Sequence, residues 1–282
     1  MTPHPLLPDE VCDCHVHIYD AAQGLAADGA GRVMPEATLD AYRTVQTRLG
    51  LRRAVIVQPN AYGTDNTTTL AAVAALGDDA RGVAIVTPAT SEDELARLHR
   101  GGIRGARCHM LGTPLLSWAE VEALAARIAP LGWHVQVQLD GRSLSDYDDL
   151  LRRLPCPVVI DHIGKFLEPV RPDHKAVRAL LRLLETGRHW LKLAAPYEVS
   201  RTGSPDYADV SAIAKAAIQA ASEHMVWASN WPHVGVDVPP DDQSLLDLLF
   251  VWTKDDAISH RILASNPATL YGFTQKQVIC FA

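Results

Sequence analysis

Two histidines stand two residues apart in Asp13-Cys14-His15-Val16-His17. A third, His162, follows a short apolar run in Val158-Val159-Ile160-Asp161-His162-Ile163-Gly164-Lys165. Imidazole can ligate a metal, exchange a proton near neutrality or donate to a developing oxyanion. Residues i and i+2 of a strand share a face. His15 and His17 are therefore expected to point the same way, with Asp13 one step deeper. The bland alternatives are two satisfied polar histidines and, at Lys165, a solvated loop lysine.

A second feature is Val226-Trp227-Ala228-Ser229-Asn230-Trp231-Pro232-His233, an apolar run that ends on a polar, proline-marked turn. Asn230 cannot take a proton and is a weak ligand for zinc. It can exchange hydrogen bonds with a hydroxyl. Arg107 falls near the end of another apolar run, with Arg104 deeper. A buried arginine needs an anion, from a substrate or from an internal carboxylate. Gln58 and Asn60 end a further run, and Gln136 and Gln138 are co-facial. Tyr197, Ser200 and Arg201 share a five-residue stretch that could grip a carboxylate or hydroxyl. With Lys165 and His233 these make a set rich in histidine, amide and arginine and poor in carboxylate. That suits an oxygen-rich anionic small molecule.

Strand ends are what such residues need for a scaffold. Apolar runs occur at Val11–Ile18, Arg53–Val57, Gly82–Val86, Ile103–Cys108, Trp133–Leu139, Val158–Ile160, Trp190–Ala194 and Met225–Ala228. Most lack strict alternation, as strands buried on both faces do. Helical patterns lie between them, at 36–49, 66–76, 91–100, 117–130, 143–154, 173–186 and 206–222, and 245–252 and 257–263 close the chain. Several open on Ser, Asp or Asn, the preferred N-caps. Eight strand–helix units predict an α/β fold, a distorted (β/α)8 TIM barrel, as one domain over 1–282. A doubly wound sheet would show a Gly-rich turn after its first strand, and here that strand ends on His-Val-His. The stretch Ala21–Gly31 reads as a long first loop on the barrel face that carries function.

The 282 residues are 48% hydrophobic, with a formal net charge of −7. The balance disfavours nucleic acid and anionic membrane surfaces as partners. No apolar window approaches the roughly 18 residues of a membrane span. Cys12, Cys14, Cys108, Cys156 and Cys280 follow no framework spacing, and residues 1–11 lack the features of a signal peptide. A cytoplasmic protein with reduced thiols is expected.

The motifs together resemble the amidohydrolase superfamily, in its amidohydrolase family 2 branch. Those that carry the resemblance are Asp13–His17, Arg104-Gly105-Ala106-Arg107, Asp161–Lys165, Ser229–His233 and Ser265-Asn266-Pro267-Ala268-Thr269-Leu270-Tyr271-Gly272. They span nearly the whole chain. Within the branch the chain is similar to lactone-processing members: pyrone dicarboxylate lactonases, sulfomuconolactone hydrolases and galactarolactone isomerase. The runs Gln58–Asn66, His162–Phe166 and Tyr197–Arg201 look most like the isomerase. The resemblance implies histidines near the scissile ester and arginines on substrate carboxylates. Many members carry a further histidine on strand five. Here Gln136 and Gln138 take the co-facial places, with His134 deeper. Metal-dependent members carry an aspartate on strand eight, where this chain has Asn230.

The expected activity is hydrolysis of a carboxylated lactone without an essential metal. His15, His17, His162 and Asn230 are the catalytic candidates. Gln58, Asn60, Arg107, Gln138, Lys165, Tyr197, Ser200, Arg201 and His233 are the substrate-binding ones. If zinc were bound, His15, His17 and His162 would hold it. Isomerisation of the lactone ring is the first alternative. A metal-dependent decarboxylase and a non-enzymatic sugar-acid binder follow it. The partner is a small anionic lactone, and homo-oligomerisation is left open.

Overall fold

A computed structural model describes residues 7–274. Eight parallel strands run in sequence order: β1 (Cys12–Val16), β2 (Arg53–Val57), β3 (Ala80–Ala84), β4 (Ile103–His109), β5 (His134–Gln138), β6 (Val158–Ile160), β7 (His189–Leu193) and β8 (Met225–Trp227). The first and last meet beyond β8, where His17 N donates to Trp231 O at 2.9 Å and Asn230 N to His15 O at 3.1 Å. The sheet thus curls into a (β/α)8 barrel. Among the described residues the α-helices are α1 (Leu39–Leu49), α2 (Thr67–Leu76), α3 (Glu92–Arg100), α4 (Trp118–Ile128), α5 (Asp148–Arg153), α6 (Lys175–Leu184), α7 (Ala208–Ala221), α8 (Asp242–Thr253), α9 (Asp256–His260) and α10 (Asn266–Tyr271). None of the described helices is long and apolar enough to cross a membrane.

The helices start where their caps dictate. Thr38, Ser91, Ser117 and Asp241 each accept a backbone N–H from the first turn that follows, and Ser117 with Glu120 completes a capping box. At Ser91 and Ser117 the opening residue of the sequence pattern is the cap itself, whereas Thr38 and Asp241 differ from the openings at 36 and 245. Two expectations needed correction. The expected helix from Ser143 begins only at Asp148, because 141–146 wind as a tighter 3-10 turn capped by Asp140. The closing pattern at 257–263 is split between α9 and a five-residue π segment at 261–265, and α10 follows with Pro267 in its first turn.

The barrel interior is laid down by alternate strand residues. Cys12, Cys14, Val55, Val57, Val83, Val159 and Val226 form one buried cluster. Val16 and Ile18 instead join Tyr42, Ala54 and Ile56. The parity of β1 therefore changes along its length, and its register with β2 slips between Asp13 and Val16. Such a bulge re-aims side chains beside sites. Here it separates Asp13 from the two histidines. Asp13 accepts Ser229 N at 3.0 Å, Ser229 Oγ at 2.5 Å and Tyr42 Oη at 3.3 Å. The expectation that Asp13 shares the face of His15 and His17 is thus corrected. Lower in the barrel, His134 fills the space over Gly105, where an added Cβ would meet its ring at 2.4 Å.

Candidate active site

The polar residues at the strand ends assemble in layers. Lys192 of β7 is wholly buried. Its Nζ lies 2.7 Å from Gln136 Oε1, 3.2 Å from His15 Nδ1 and 3.3 Å from Asp161 Oδ1. Gln136 Oε1 and His15 Nδ1 are within hydrogen-bond reach of it, and the Asp161 carboxylate, whose Oδ1 has no hydrogen bond, stands beside the ammonium as its counter-ion. His15 Nδ1 must then be the unprotonated nitrogen, so its proton is on Nε2. His15 Nε2 faces His17 Nε2 at 3.2 Å, and His17 Nδ1 faces Val57 O at 2.8 Å. A carbonyl only accepts, so His17 carries its proton on Nδ1. One assignment satisfies every contact: Lys192 donates to His15, His15 to His17, and His17 to Val57 O.

Burial keeps these imidazoles neutral. His17 is lowered to about 3 by burial and by the nearby Arg107. Burial also holds His15 and His162 well below the ordinary range. Burial would raise Asp161, but Lys192, His162 and Arg107 outweigh it and hold the carboxyl low. His162 Nδ1 is buried with no hydrogen-bond partner.

Above this layer opens a cavity of about 200 Å3. Its lining includes His17, Asn60, Arg107, His109, Gln138 and His162, with Arg32, Lys165, Glu198 and Asn230 around them. Three cationic side chains face one carboxylate there, and Glu198 is paired with Lys165. Arg107 donates to Gln58 O at 2.7 Å and Gln138 Oε1 at 3.3 Å, while its Nε has no partner. Asn230 Nδ2 donates to Tyr197 Oη at 2.8 Å and Glu198 Oε1 at 3.1 Å. Its carbonyl oxygen remains to accept from a ligand. Left-handed backbone at His162, Ile163, Lys165, Asn230 and His233 concentrates strain around this opening.

His17, Asn60, Arg107, Gln138, His162, Lys165 and Asn230 thus meet at one cavity. His15 lies beneath, its Nε2 facing His17 Nε2. The other candidates do not line this cavity. Gln58 faces inward, donating to Gly63 O and Asp65 O and accepting from Thr69 Oγ1. Tyr197 and His233 stand behind Asn230: Tyr197 Oη lies 2.9 Å from His233 Nδ1, and His233 Nε2 lies 2.9 Å from Asp242 Oδ1. Ser200 Oγ and Arg201 N bind the Asp209 carboxylate at the start of α7, and Arg201 is exposed outside the cavity. Sequence reasoning missed Lys192, Glu198 and Asp242. A lysine inside an apolar run was the available signal for the first.

His15, Asp161 and His162 are the one group among the described residues with ligand atoms close enough for a metal, all within 4.8 Å. The donor set does not fit a divalent ion as arranged. The Lys192 ammonium already occupies the lone pair of His15 and the charge of Asp161. The strand-eight position offers an amide turned toward Tyr197 and Glu198. Strand five offers Gln136, donating to Asp161 at 3.0 Å, while His134 lies deeper against Tyr271.

The Amidohydrolase family model, Amidohydro_2, matches residues 12–273. The chain belongs to this family. It is 36% identical to a D-galactarolactone isomerase from Agrobacterium fabrum, over 95% of this chain and 93% of that protein. It is 32% identical to a 4-sulfomuconolactone hydrolase from Rhizobium radiobacter, over 94% and 91%. An apo crystal structure of an Agrobacterium tumefaciens protein matches with a TM-score of 0.90 at 35% identity, covering 98% of this amidohydrolase and 100% of that chain.

Proposed function

We propose that this amidohydrolase transfers the acyl group of a carboxylated small-molecule lactone without an essential metal. The observation that carries the reading is the cavity itself: Arg107, Lys165 and Arg32 converge on it beside neutral His17 and His162 and the Asn230 amide. The cations would fix a substrate carboxylate, which positions the ring. His17 and His162 border the place where a carbonyl oxygen or an attacking hydroxyl would sit, and a lactone is activated enough for hydrogen-bonding and acid–base help of this kind. Asn230 is suited to accept from a substrate hydroxyl.

The favoured acceptor is a second hydroxyl of the same substrate, so that the lactone ring changes size. The sequence alone put hydrolysis ahead. Two findings support isomerisation: strand eight offers no carboxylate to activate water, and the relative with 36% identity is named a lactone isomerase. Hydrolysis is the second reading, supported by the 32% identity to a sulfomuconolactone hydrolase. Incubation with a panel of carboxylated lactones, followed by NMR and by acid release, separates them. A new ring without acid release supports isomerisation. Stoichiometric acid release supports hydrolysis. No turnover of any carboxylated lactone would remove both readings.

A further inference from the structure

Lys192 has no role in the reading of the cavity, yet it is among the largest side chains that the barrel buries completely. Its ammonium lies among the atoms that would have to converge for this family to hold an ion. Two of the three residues in the His15–Asp161–His162 group are its own partners, through His15 Nδ1 at 3.2 Å and Asp161 Oδ1 at 3.3 Å. Gln136 completes its coordination at 2.7 Å and reaches Asp161 with its amide nitrogen at 3.0 Å. The result is a buried network of one lysine, one carboxylate, one imidazole and one amide, with no exposure to solvent.

We propose that Lys192 is the resident cation of this barrel, holding His15, Asp161 and Gln136 in place and excluding a divalent metal from the cluster. The proposal rests on the metal-free reading given above, and it makes a claim about binding that lactone turnover does not test. A divalent ion taken on His15 Nδ1 and Asp161 would have to displace the hydrogen bond from Lys192. It would also have to share the Asp161 carboxylate with a buried positive charge, and like charges at such range in a dry interior repel strongly. The ammonium also dictates which nitrogen of His15 carries the proton. Lys192 is thereby a positioning residue for the His15–His17 pair at the cavity floor.

Removing the charge should open the site. Full-length wild type, Lys192→Met and Lys192→Gln are freed of metal and titrated with Co(II), read by visible absorption bands and equilibrium dialysis. Wild type should show no ligand-field bands and retain well under one equivalent. The folded lysine variants should bind one equivalent at least about 10²-fold more tightly, consistent with thousandfold-scale gains from relieving a buried like-charge contact. Adding His162→Ala to Lys192→Met should abolish the bands, which locates the ion. Two results would overturn the proposal. One is a wild type that binds one equivalent with bands lost on His162→Ala. The other is folded lysine variants, judged by circular dichroism and cooperative melting, that bind no better than wild type. If neither variant folds, the wild-type titration decides: a bound equivalent at the cluster refutes the proposal, and none upholds it.

Discussion

Arg107 lines the cavity, gives two hydrogen bonds to fixed internal acceptors and has a buried Nε without a partner. Such a group is prepared for an anion. Replacing it with Met should lower kcat/KM for a carboxylated lactone about 10²-fold, mostly through KM, as expected for loss of a charged contact worth a few kcal/mol. An uncharged lactone should lose far less; an equal loss would refute the carboxylate grip. Asn230→Asp tests the strand-eight position. An aspartate there would lose the donation to Tyr197 and face Glu198, so kcat/KM should fall by about 10²-fold, and unchanged activity would make Asn230 a mere turn residue. His15, His17, His162 and Arg107 were legible because imidazoles and an arginine are conspicuous at the ends of apolar runs. Lys192 and Glu198 were not. Their meaning depends on partners far away in the chain: Lys192 meets His15 across 177 residues.

At the scale of elements, the barrel closes where β1 meets the segment after β8, and Asp13 is the tie. It accepts from Ser229 twice and from Tyr42 of α1. Asp13→Ala leaves those buried donors unpaired, so urea unfolding should show a loss of about 1–3 kcal/mol. A change within about 0.5 kcal/mol, the range of ordinary surface substitutions, would show that the tie contributes little. Strands and caps were readable because burial on both faces and capping side chains leave local marks. The bulge in β1 was not. A two-residue period gives no sign of a register slip, and the slip is what parts Asp13 from the histidines. The end of the chain also resisted reading, because one helical pattern there is divided by a π segment.

For the whole molecule, the buried histidines govern the response to acid. His134 is lowered to about 3 and His109 to about 4, burial being the main cause in both. Below about pH 6.5 the unfolded chain takes up protons that the folded chain refuses. Stability from these groups is therefore present above that pH and is lost as pH falls toward 3–4. Each contributes at most about 1.4 kcal/mol per pH unit. Asp13, raised to about 6 by burial, runs the other way below pH 6 and offsets part of the loss. The melting temperature should thus fall between pH 6.5 and 4.5, and His134→Leu should make the slope shallower. An unchanged slope would mean that His134 is not held neutral.

The central claim is acyl transfer on a carboxylated lactone by the metal-free chain. Proton NMR of one carboxylated sugar lactone, with enzyme freed of metal and kept in excess chelator, tests it most directly. The expected result is conversion to the ring isomer at the same rate with and without chelator. Activity that disappears in chelator and returns with one equivalent of zinc would contradict it.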